Sequence, residues 1–389
     1  MTRPSLLAML LAGGAAASDL LYVSSMDGNI TTLNMGMTTP AAGGKYPSFK
    51  SVARNQDCAP TPSWLTLNHA AGQLFCIDEA GETASSLSSY KTSADGTLTK
   101  LGRVETPKGP VSGIFYGCKG HGFAMAHYGG SAISTWDVSD PANIKNVQTL
   151  KFTQPLGPKQ EAPRPHQVIL DPTGKYIVTP DLGSDVIRLY SFDPKSLKVT
   201  EIPPVTVKPG SGPRHVAFAV RGPKTFMYVV TELGNTIIGF EVTYGDTIQL
   251  KEIFNIDVHG EGKGVIATAA ASEVIVSPDQ KFLIASSRRE YTVKIPDFDD
   301  KNKQIDSDPL INFSIDEASG KLTFKQSVSS GGRFPRQFSM NKAGTKVAVG
   351  MQFDARVVII KRDPQSGDLG DFESFSNVSG NITSVFFDE

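Results

Sequence analysis

Arginine, histidine and glutamate side chains recur at equivalent places in the second half of this sequence. One set directly follows a proline in three segments, namely His166, the pair Arg214 and His215, and Arg336. A second set follows an apolar run in three segments: Glu232 in VVTEL, Arg288 in IASSR and Gln352 in VGMQ. Because arginine is suited to planar, bidentate capture of carboxylate or phosphate, several arginines converging on one point would form an anion pocket.

Such a pocket could bind an anionic ligand and exchange protons with it. Neighbouring arginines would hold a lone glutamate ionised, and a nearby histidine can exchange protons close to neutral pH. In hydrolysis, the arginines would fix the anionic group and stabilise the oxyanion, while His166 or Glu232 activates water as general base. The same two residues are also candidates for an acid that donates a proton. The alternative is that each charged residue pairs locally on the surface.

The elements that would position these residues form a repeat of about 50 residues. The clearest copy starts at Arg164 and predicts a strand, a turn at 171–174, a second strand from Tyr176, a turn at 182–184 and a third strand from Val186. Further copies begin at Pro213, Ser272 and Pro335, and weaker ones at Pro62 and Val111. A seventh copy is split between the termini, with residues 20–35 supplying the later strands and the final NITSVFFDE segment the first.

This repeat favours an all-β, seven-bladed β-propeller with four-stranded blades, closed by pairing of the N- and C-terminal strands. The inner strands of a propeller line a central channel, so residues at the same repeat position should converge there. Two β-sandwiches are the rival architecture, but they do not require such a repeat. Five aromatic residues are predicted to fill the core between blades: Trp64, Phe115, Phe218, Phe240 and Phe338.

Residues 1–18 are predicted to be a secretory signal peptide, which leaves 19–389 as a single propeller domain. Arg3 is followed by a short apolar run and three alanines, whereas the Gly13-Gly14 pair argues against a buried N-terminal element. The sequence therefore predicts a secreted protein. Four sequons are candidate glycan acceptors, at Asn29, Asn312, Asn377 and Asn381. A disulfide is expected between Cys58 and Cys76, which flank one predicted strand pair, and Cys118 is expected to be a small buried residue.

Several partners are excluded by composition. A formal net charge of -1 provides no field for nucleic acid. No later stretch has the roughly 20 apolar residues of a membrane span. No zinc-type Cys/His spacing occurs, and an arginine-rich site would repel a cation, so neither metal nor cofactor is expected. The Gly260–Gly264 run is interpreted as a loop and not a nucleotide site. The acidic segment 297–308 is interpreted as solvated, with a partner site as the alternative. The protein is expected to be a monomer.

The blocks PHQVILDPTGKY, GPRHVAF with TELGN, SSR, and PRQF with its following Gln resemble the seven-bladed lactonase family, which contains bacterial-type 6-phosphogluconolactonases and fungal carboxy-cis,cis-muconate cyclases. The resemblance extends over essentially the whole chain after residue 18. It implies catalytic roles for four residues, His166, Arg214, Glu232 and Arg288. Arg336 and Gln352 match the lactonase branch, which suggests that they bind substrate together with His215.

The resemblance therefore implies an enzyme that hydrolyses, or in reverse forms, a lactone bearing a carboxylate or phosphate. An exported protein would seldom meet a cytosolic sugar phosphate, so the substrate within this class stays open. A muconate cyclase-type lactonising isomerase is one alternative. The other is a non-catalytic extracellular binding module, because propellers host many unrelated functions.

Overall fold

The computed structural model describes residues 19–41, 43–80 and 84–389, and the predicted signal peptide lies outside them. In this part of the chain, strands account for nearly all regular structure. Blade I takes three strands from the N-terminal end: β1 (Leu20–Ser25), β2 (Asn29–Thr39) and β3 (Ser48–Asn55). Blade II contains β4 (Pro62–Asn68), β5 (Gln73–Asp78), β6 (Ser85–Thr92) and β7 (Leu98–Thr106). Blade III contains β8 (Pro110–Tyr116), β9 (Gly122–His127), β10 (Ala132–Asp137) and β11 (Lys145–Lys151).

The next blades follow the same order. Blade IV contains β12 (Ile169–Leu170), β13 (Tyr176–Asp181), β14 (Val186–Phe192) and β15 (Val199–Thr206). Blade V contains β16 (Pro213–Arg221), β17 (Lys224–Thr231), β18 (Thr236–Tyr244) and β19 (Ile248–Asp257). Blade VI begins with β20 (Ala270–Val276) and β21 (Phe282–Arg288), which are followed by an inserted hairpin of β22 (Val293–Pro296) and β23 (Gln304–Ser307). It ends with β24 (Pro309–Ile315) and β25 (Leu322–Ser329).

Blade VII contains β26 (Pro335–Met340), β27 (Lys346–Met351), β28 (Arg356–Arg362) and β29 (Leu369–Asn377). The last strand, β30 (Ile382–Phe387), becomes the innermost strand of blade I, where it pairs antiparallel with β1. The innermost strands contact their neighbours in a closed circuit, β30–β4–β8–β12 and β16–β20–β26–β30, with β13 linking blades IV and V. The predicted seven-bladed ring and its closure through the terminal strands are therefore confirmed. Two short 3-10 turns, His69–Ala71 and Cys118–Gly120, complete the elements.

A β-bulge recurs at the start of the innermost strand. In five blades the pairing register skips one residue there, and these residues are Ser63, Val111, Arg214, Arg336 and Thr383. A bulged residue leaves the ladder, and its side chain is re-aimed. All five of these side chains line one cavity on the channel axis. The repeated bulge thus turns the side chain of the second residue of each of these strands into the channel.

Blade IV departs from the predicted pattern. The strand expected from Arg164 pairs only at β12, preceded by an isolated bridge between Pro165 and Asp181. Proline has no N–H to donate to a ladder, so the segment around Pro163 and Pro165 cannot pair continuously. The backbone N–H of His166 still donates to the Pro180 carbonyl at 3.0 Å, which holds this segment against β13.

The core between blades is apolar, as the alternating strands predict. Phe240 and Phe338 are fully buried, as expected. Trp64, Phe115 and Phe218 are partly buried and pack against the core clusters. Trp64 also lies at the channel, with its ring edge-on to His215 at a centroid distance of 5.8 Å.

The acidic segment 297–308 is solvated only in part: residues 299 and 301–304 are exposed, whereas Phe298, Ser307 and Asp308 are buried. It forms much of the inserted hairpin, where Phe298 is buried against the aromatic rings of blade VII. Arg356 ties two of its carboxylates, at 3.5 Å from Asp297 and 2.8 Å from Asp299. Burial of one phenylalanine together with these ion pairs fastens the segment to the propeller.

The three cysteines form one disulfide and one free thiol. Cys58, between β3 and β4, forms a disulfide with Cys76 of β5. Cys118 is exposed, so its expected burial is wrong. No helix among the described residues is long and apolar enough to cross a bilayer.

Two of the four expected surface glycan sites are wrong. Asn29 and Asn312 have no exposed surface, and the Asn312 amide donates to Gln326 and to the Gly367 carbonyl. Asn377 is exposed, but its amide nitrogen donates to Asp299 at 3.1 Å. Asn381 is also exposed, in the connection between β29 and β30.

Candidate active site

Two strand positions deliver charged side chains to one end of the channel. Arg214 and Arg336 occupy bulges at the start of β16 and β26, whereas Glu232 and Arg288 stand at the end of the second strands β17 and β21. Since first and second strands are antiparallel neighbours, the start of one lies beside the end of the other. Arg214, Glu232 and Arg288 therefore meet across blades V and VI.

Glu232 bridges two buried arginines. Its Oε2 atom lies 2.9 Å from Arg214 Nε and 3.0 Å from Arg288 Nη2. Backbone carbonyls take further donors: Arg214 Nη1 donates to Ser272 at 2.9 Å, and Arg288 Nε donates to Ala270 at 3.0 Å. The side chains of the two arginines are 2% and 5% exposed, whereas that of Glu232 is 25% exposed. The carboxylate thus faces the mouth of the channel, and backbone carbonyls hold both guanidinium groups in place.

The electrostatics keep Glu232 ionised. Burial acts to raise the pKa of Glu232, but the charges of Arg288 and Arg214 outweigh it and bring the pKa to about 2. Burial, reinforced by the charge of Arg288 and opposed by Glu232, lowers the pKa of Arg214 to about 9. Near neutral pH the cluster therefore carries two positive charges and one negative charge, and Glu232 is a weak base.

Two histidines lie next to this cluster on the axis. His215 Nε2 is 3.2 Å from His166 Nδ1, and His215 Nδ1 is 2.8 Å from Oε1 of Glu273. Burial and the positive charges of Arg214 and its neighbours lower the pKa of His166 well below its ordinary value. Burial also lowers the pKa of His215, although Glu273 opposes this. His166 is consequently neutral at pH 7, and one of its ring nitrogens carries a lone pair.

Arg336 differs from the other two arginines. Its guanidinium makes no hydrogen bond within the described residues, and its one ion pair there is with Glu79 at 3.7 Å. It lines the same axial cavity as His166 and Arg214. Arg214 and Arg288 each pair with Glu232 and donate to a backbone carbonyl, whereas Arg336 makes neither kind of contact and keeps more of its donors free.

Sequence reasoning missed Glu79 and Tyr128. Each directly follows the second strand of its blade, the repeat position that Glu232 occupies in blade V. The Tyr128 ring is edge-on to His166 at 5.7 Å, and the Arg164 guanidinium lies 4.9 Å from its centroid. The repeat position was therefore the signal, but blades II and III have the most divergent sequences.

Gln352 also ends a second strand, yet it does not join the arginine cluster. Its side-chain nitrogen contacts the Met26 sulfur at 3.8 Å, and its backbone N–H donates to Phe334 at 3.0 Å. Its buried Oε1 atom has no hydrogen-bond partner within the part of the chain that the structure describes. Met26 occupies the same repeat position in blade I, so this pair continues the ring of residues around the mouth.

The cavities show where a substrate can enter. The axial cavity between His166, Arg214 and Arg336 measures about 10 Å³, too little for a sugar ring. A cavity of about 610 Å³ adjoins the Glu232 loop, with Lys159 and Leu233 among its lining residues, but it does not contain the arginine cluster. Arg214 therefore lines the small axial cavity and not the cavity of about 610 Å³. Among residues 19–41, 43–80 and 84–389, no three His, Cys, Asp or Glu side chains are grouped to hold a metal ion.

Comparison with known proteins supports the same fold. The family model described as Lactonase, 7-bladed beta-propeller matches residues 44–387. The "Probable 6-phosphogluconolactonase" of Arthroderma benhamiae is 31% identical over 366 residues, covering 92% of this chain and 86% of that protein. The 6-phosphogluconolactonase of Formosa agariphila is 24% identical over 315 residues, covering 79% and 83%.

Solved structures share the architecture. The periplasmic gluconolactonase of Pseudomonas aeruginosa has a TM-score of 0.77 and 23% identity, covering 95% of this chain and 98% of that one. A protein from Lactobacillus plantarum has a TM-score of 0.76 and 20% identity, covering 96% and 99%. At these identities the likeness concerns the fold.

Proposed function

The chain belongs to the lactonase family of seven-bladed β-propellers, and we propose that it hydrolyses a lactone bearing a carboxylate or phosphate group at the mouth of its channel. The observation that carries this proposal is the Arg214–Glu232–Arg288 cluster, which lies beside neutral His166 and unsaturated Arg336. This arrangement provides positive charge for an oxyanion, a base for water and a free guanidinium for an anionic substrate.

Arg336 is proposed to bind the anionic group of the substrate. Its donors are unengaged, and a guanidinium can bind a carboxylate or phosphate through two parallel hydrogen bonds. Arg336 would exchange its distant contact with Glu79 for this closer pair. The substrate would then be held with its ring over the neighbouring cluster.

Arg214 and Arg288 are proposed to stabilise the oxyanion. Carbonyl groups and Glu232 hold both guanidinium groups in place before substrate arrives, and such preorganisation is what makes electrostatic stabilisation effective. Glu232 then acts by positioning two positive charges that would otherwise repel each other. Its carboxylate is held by both arginines, whereas His166 Nε2 has no hydrogen-bond partner within the described residues, so His166 is the better placed to accept a proton.

His166 is proposed as the general base. The Nε2 atom takes a proton from water as the water oxygen bonds to the lactone carbonyl carbon, and the negative charge moves to the carbonyl oxygen beside the arginines. When the ring C–O bond breaks, the same proton passes to the departing alkoxide. The product is the open-chain hydroxy acid, which ionises, and the histidine returns to its neutral form.

A substrate panel tests the proposal. Gluconolactone, its 6-phosphate and carboxymuconolactone are incubated with the purified protein, and ring opening is followed by acid release. Arg288→Ala should remove most turnover, whereas Arg221→Ala at the opposite end of β16 should retain it. Turnover that persists in Arg288→Ala would contradict the assignment, and formation of lactone from carboxymuconate alone would favour the cyclase.

Export of the protein remains part of this proposal. Residues 1–18 have the charge and apolar pattern of a signal peptide. An exported lactonase would meet lactones released outside the cell. N-terminal sequencing of the secreted protein should find residue 19 first. A protein that stays in the cell and still carries residues 1–18 would contradict export.

A further inference from the structure

Three buried side chains form a line of hydrogen bonds along the channel. Glu273 of blade VI, His215 of blade V and His166 of blade IV are 3%, 2% and 6% exposed. They are joined at 2.8 Å and 3.2 Å through Glu273 Oε1, both ring nitrogens of His215 and His166 Nδ1. Glu273 also lines a cavity of about 390 Å³ at the opposite end of the channel. The line therefore leads from this second cavity, through His215, to His166 beside Arg214 in the axial cavity.

We propose that Glu273 and His215 are positioning residues that fix the tautomer of His166, so that its Nε2 atom keeps the lone pair that a general base needs. This inference rests on the proposed role of His166 as general base. It assigns functions to two residues that need not touch the substrate.

The direction of the hydrogen bonds follows from their acceptor end. A carboxylate only accepts, so the proton between Glu273 and His215 belongs to His215 Nδ1. Neutral His215 then has a lone pair on Nε2, and the proton between the two rings belongs to His166 Nδ1. The second ring nitrogen, His166 Nε2, is left with a lone pair and has no hydrogen-bond partner within the described residues.

The surroundings hold each member in place. Glu273 Oε1 also accepts the N–H of Val274 at 3.0 Å, which fixes the carboxylate. The Trp64 ring meets His215 edge-on at 5.8 Å, and the Tyr128 ring meets His166 edge-on at 5.7 Å. A 180° turn of either imidazole would place carbon atoms where the bonded nitrogens lie, so it would break the line of hydrogen bonds.

Spectroscopy tests the tautomers without any substrate. The protein comprising residues 19–389 is labelled with ¹⁵N-histidine, and two-bond ¹H–¹⁵N correlations are recorded at pH 7. The variants His166→Gln and His215→Gln assign the signals. Both histidines should be neutral and protonated on Nδ1. A proton on Nε2 of His166 would overturn the proposal. Because no lactone is present, this result is independent of whether the proposed activity is found.

Glu273→Leu removes the acceptor, and Glu273→Gln retains an oxygen that can accept from His215 and Val274. In the leucine variant we expect mixed tautomers at both histidines. We also expect kcat to fall at least about tenfold while KM stays within about twofold. This loss is part of the about 10²- to 10⁴-fold rate acceleration that a general base supplies. In the glutamine variant we expect the original tautomers and most of kcat. Equal loss in both variants, or unchanged tautomers in the leucine variant, would contradict the inference.

Two controls separate positioning from damage to the fold. His127 is buried elsewhere, between the Pro107 carbonyl and Ser134 Oγ, so its signals should not change in either variant. Glu290→Gln alters a second, partly buried glutamate–histidine pair, with His259 at 2.9 Å, and should affect the signals of His259 alone. If the leucine variant does not fold, the tautomers of the wild-type protein and of the glutamine variant still decide whether His166 carries its proton on Nδ1.

Discussion

At the residue scale, the three channel arginines differ in what already occupies their donors. Arg214 and Arg288 are buried against Glu232 and carbonyl groups, whereas Arg336 has only a 3.7 Å ion pair with Glu79. Equal residue type therefore does not mean equal role. Two arginines are suited to stabilise charge that develops in the transition state, and one is suited to hold charge that the substrate brings.

This difference predicts a selective effect of Arg336→Ala. Loss of a charged hydrogen-bonding group corresponds to about 1.5–3 kcal/mol, so KM for an anionic lactone should rise about 10- to 100-fold. Neutral gluconolactone should be little affected, because it lacks the group that Arg336 binds. Steady-state kinetics on gluconolactone and its 6-phosphate measure this, with Arg221→Ala as control. An equal loss on both substrates would contradict the anchor role.

Glu232 should make stability depend on acidity. Its folded pKa of about 2 is lowered from the ordinary 4.5, so its stabilising contribution is complete above pH 4.5 and is lost as the pH falls towards 2. Denaturant unfolding of wild type and Glu232→Gln should show wild type more stable at pH 7, with a gap that narrows between pH 4.5 and pH 2. A gap that stays constant over this range would show that the carboxylate charge is not responsible.

At the element scale, the connection after β21 depends on one buried aspartate. Asp308 is fully buried, and its carboxylate accepts the backbone N–H groups of Glu290 at 2.7 Å, Tyr291 at 2.9 Å and Phe334 at 2.7 Å. The Phe334 ring lies 4.9 Å from the Arg288 guanidinium. One side chain thus connects the start of the hairpin to the wall of the site.

Asp308→Ala should therefore lower both stability and activity. It leaves several buried N–H groups unpaired, each costing about 1–3 kcal/mol, and it frees the segment that packs on Arg288. Thermal unfolding and kcat/KM on the best substrate measure the two effects. Asp306→Ala, in the same hairpin but with a half-exposed side chain, should change neither by much. Loss of stability with unchanged kcat/KM in the folded fraction would separate Asp308 from the site.

At the scale of the whole molecule, the ring is closed by its two terminal strands. In β30, Val385 is opposite Val23 of β1, and both are buried between blades VII and I. Because the arginines and histidines come from blades IV to VII, their convergence depends on an intact circle. A propeller that opened at blade I would expose strand edges and separate the innermost strands.

Deletion of residues 382–389 should consequently prevent stable folding. The first blade would lose its innermost strand, and β1 would present an unpaired edge to solvent. Circular dichroism and size-exclusion chromatography should show loss of a cooperative transition and aggregation. Deletion of Glu389 alone, which lies beyond β30, should be tolerated. A soluble, cooperatively folded 382–389 deletion would show that closure is not required.

The sequence by itself determined the architecture and the repeat positions from which the site residues come. Repeating strand and turn patterns set blade length, and Glu232, Arg214 and Arg288 could be found because equal positions in a repeat become neighbours in a ring. Glu79 and Tyr128 obey the same rule, but their blades have drifted too far for the repeat to be seen. These inferences need only local periodicity and circular symmetry.

The tertiary structure alone decided how the side chains divide their work. Bulges at Arg214 and Arg336 arise where strands are paired, and they cannot be deduced from the order of residues. Whether an arginine is saturated, or a histidine is joined to a glutamate 58 positions away, depends on contacts between blades. The same holds for Asn29 and Asn312, whose sequons are local but whose burial is set by packing. Chemistry at this site is a property of distances between blades, and such distances exist only after the ring has closed.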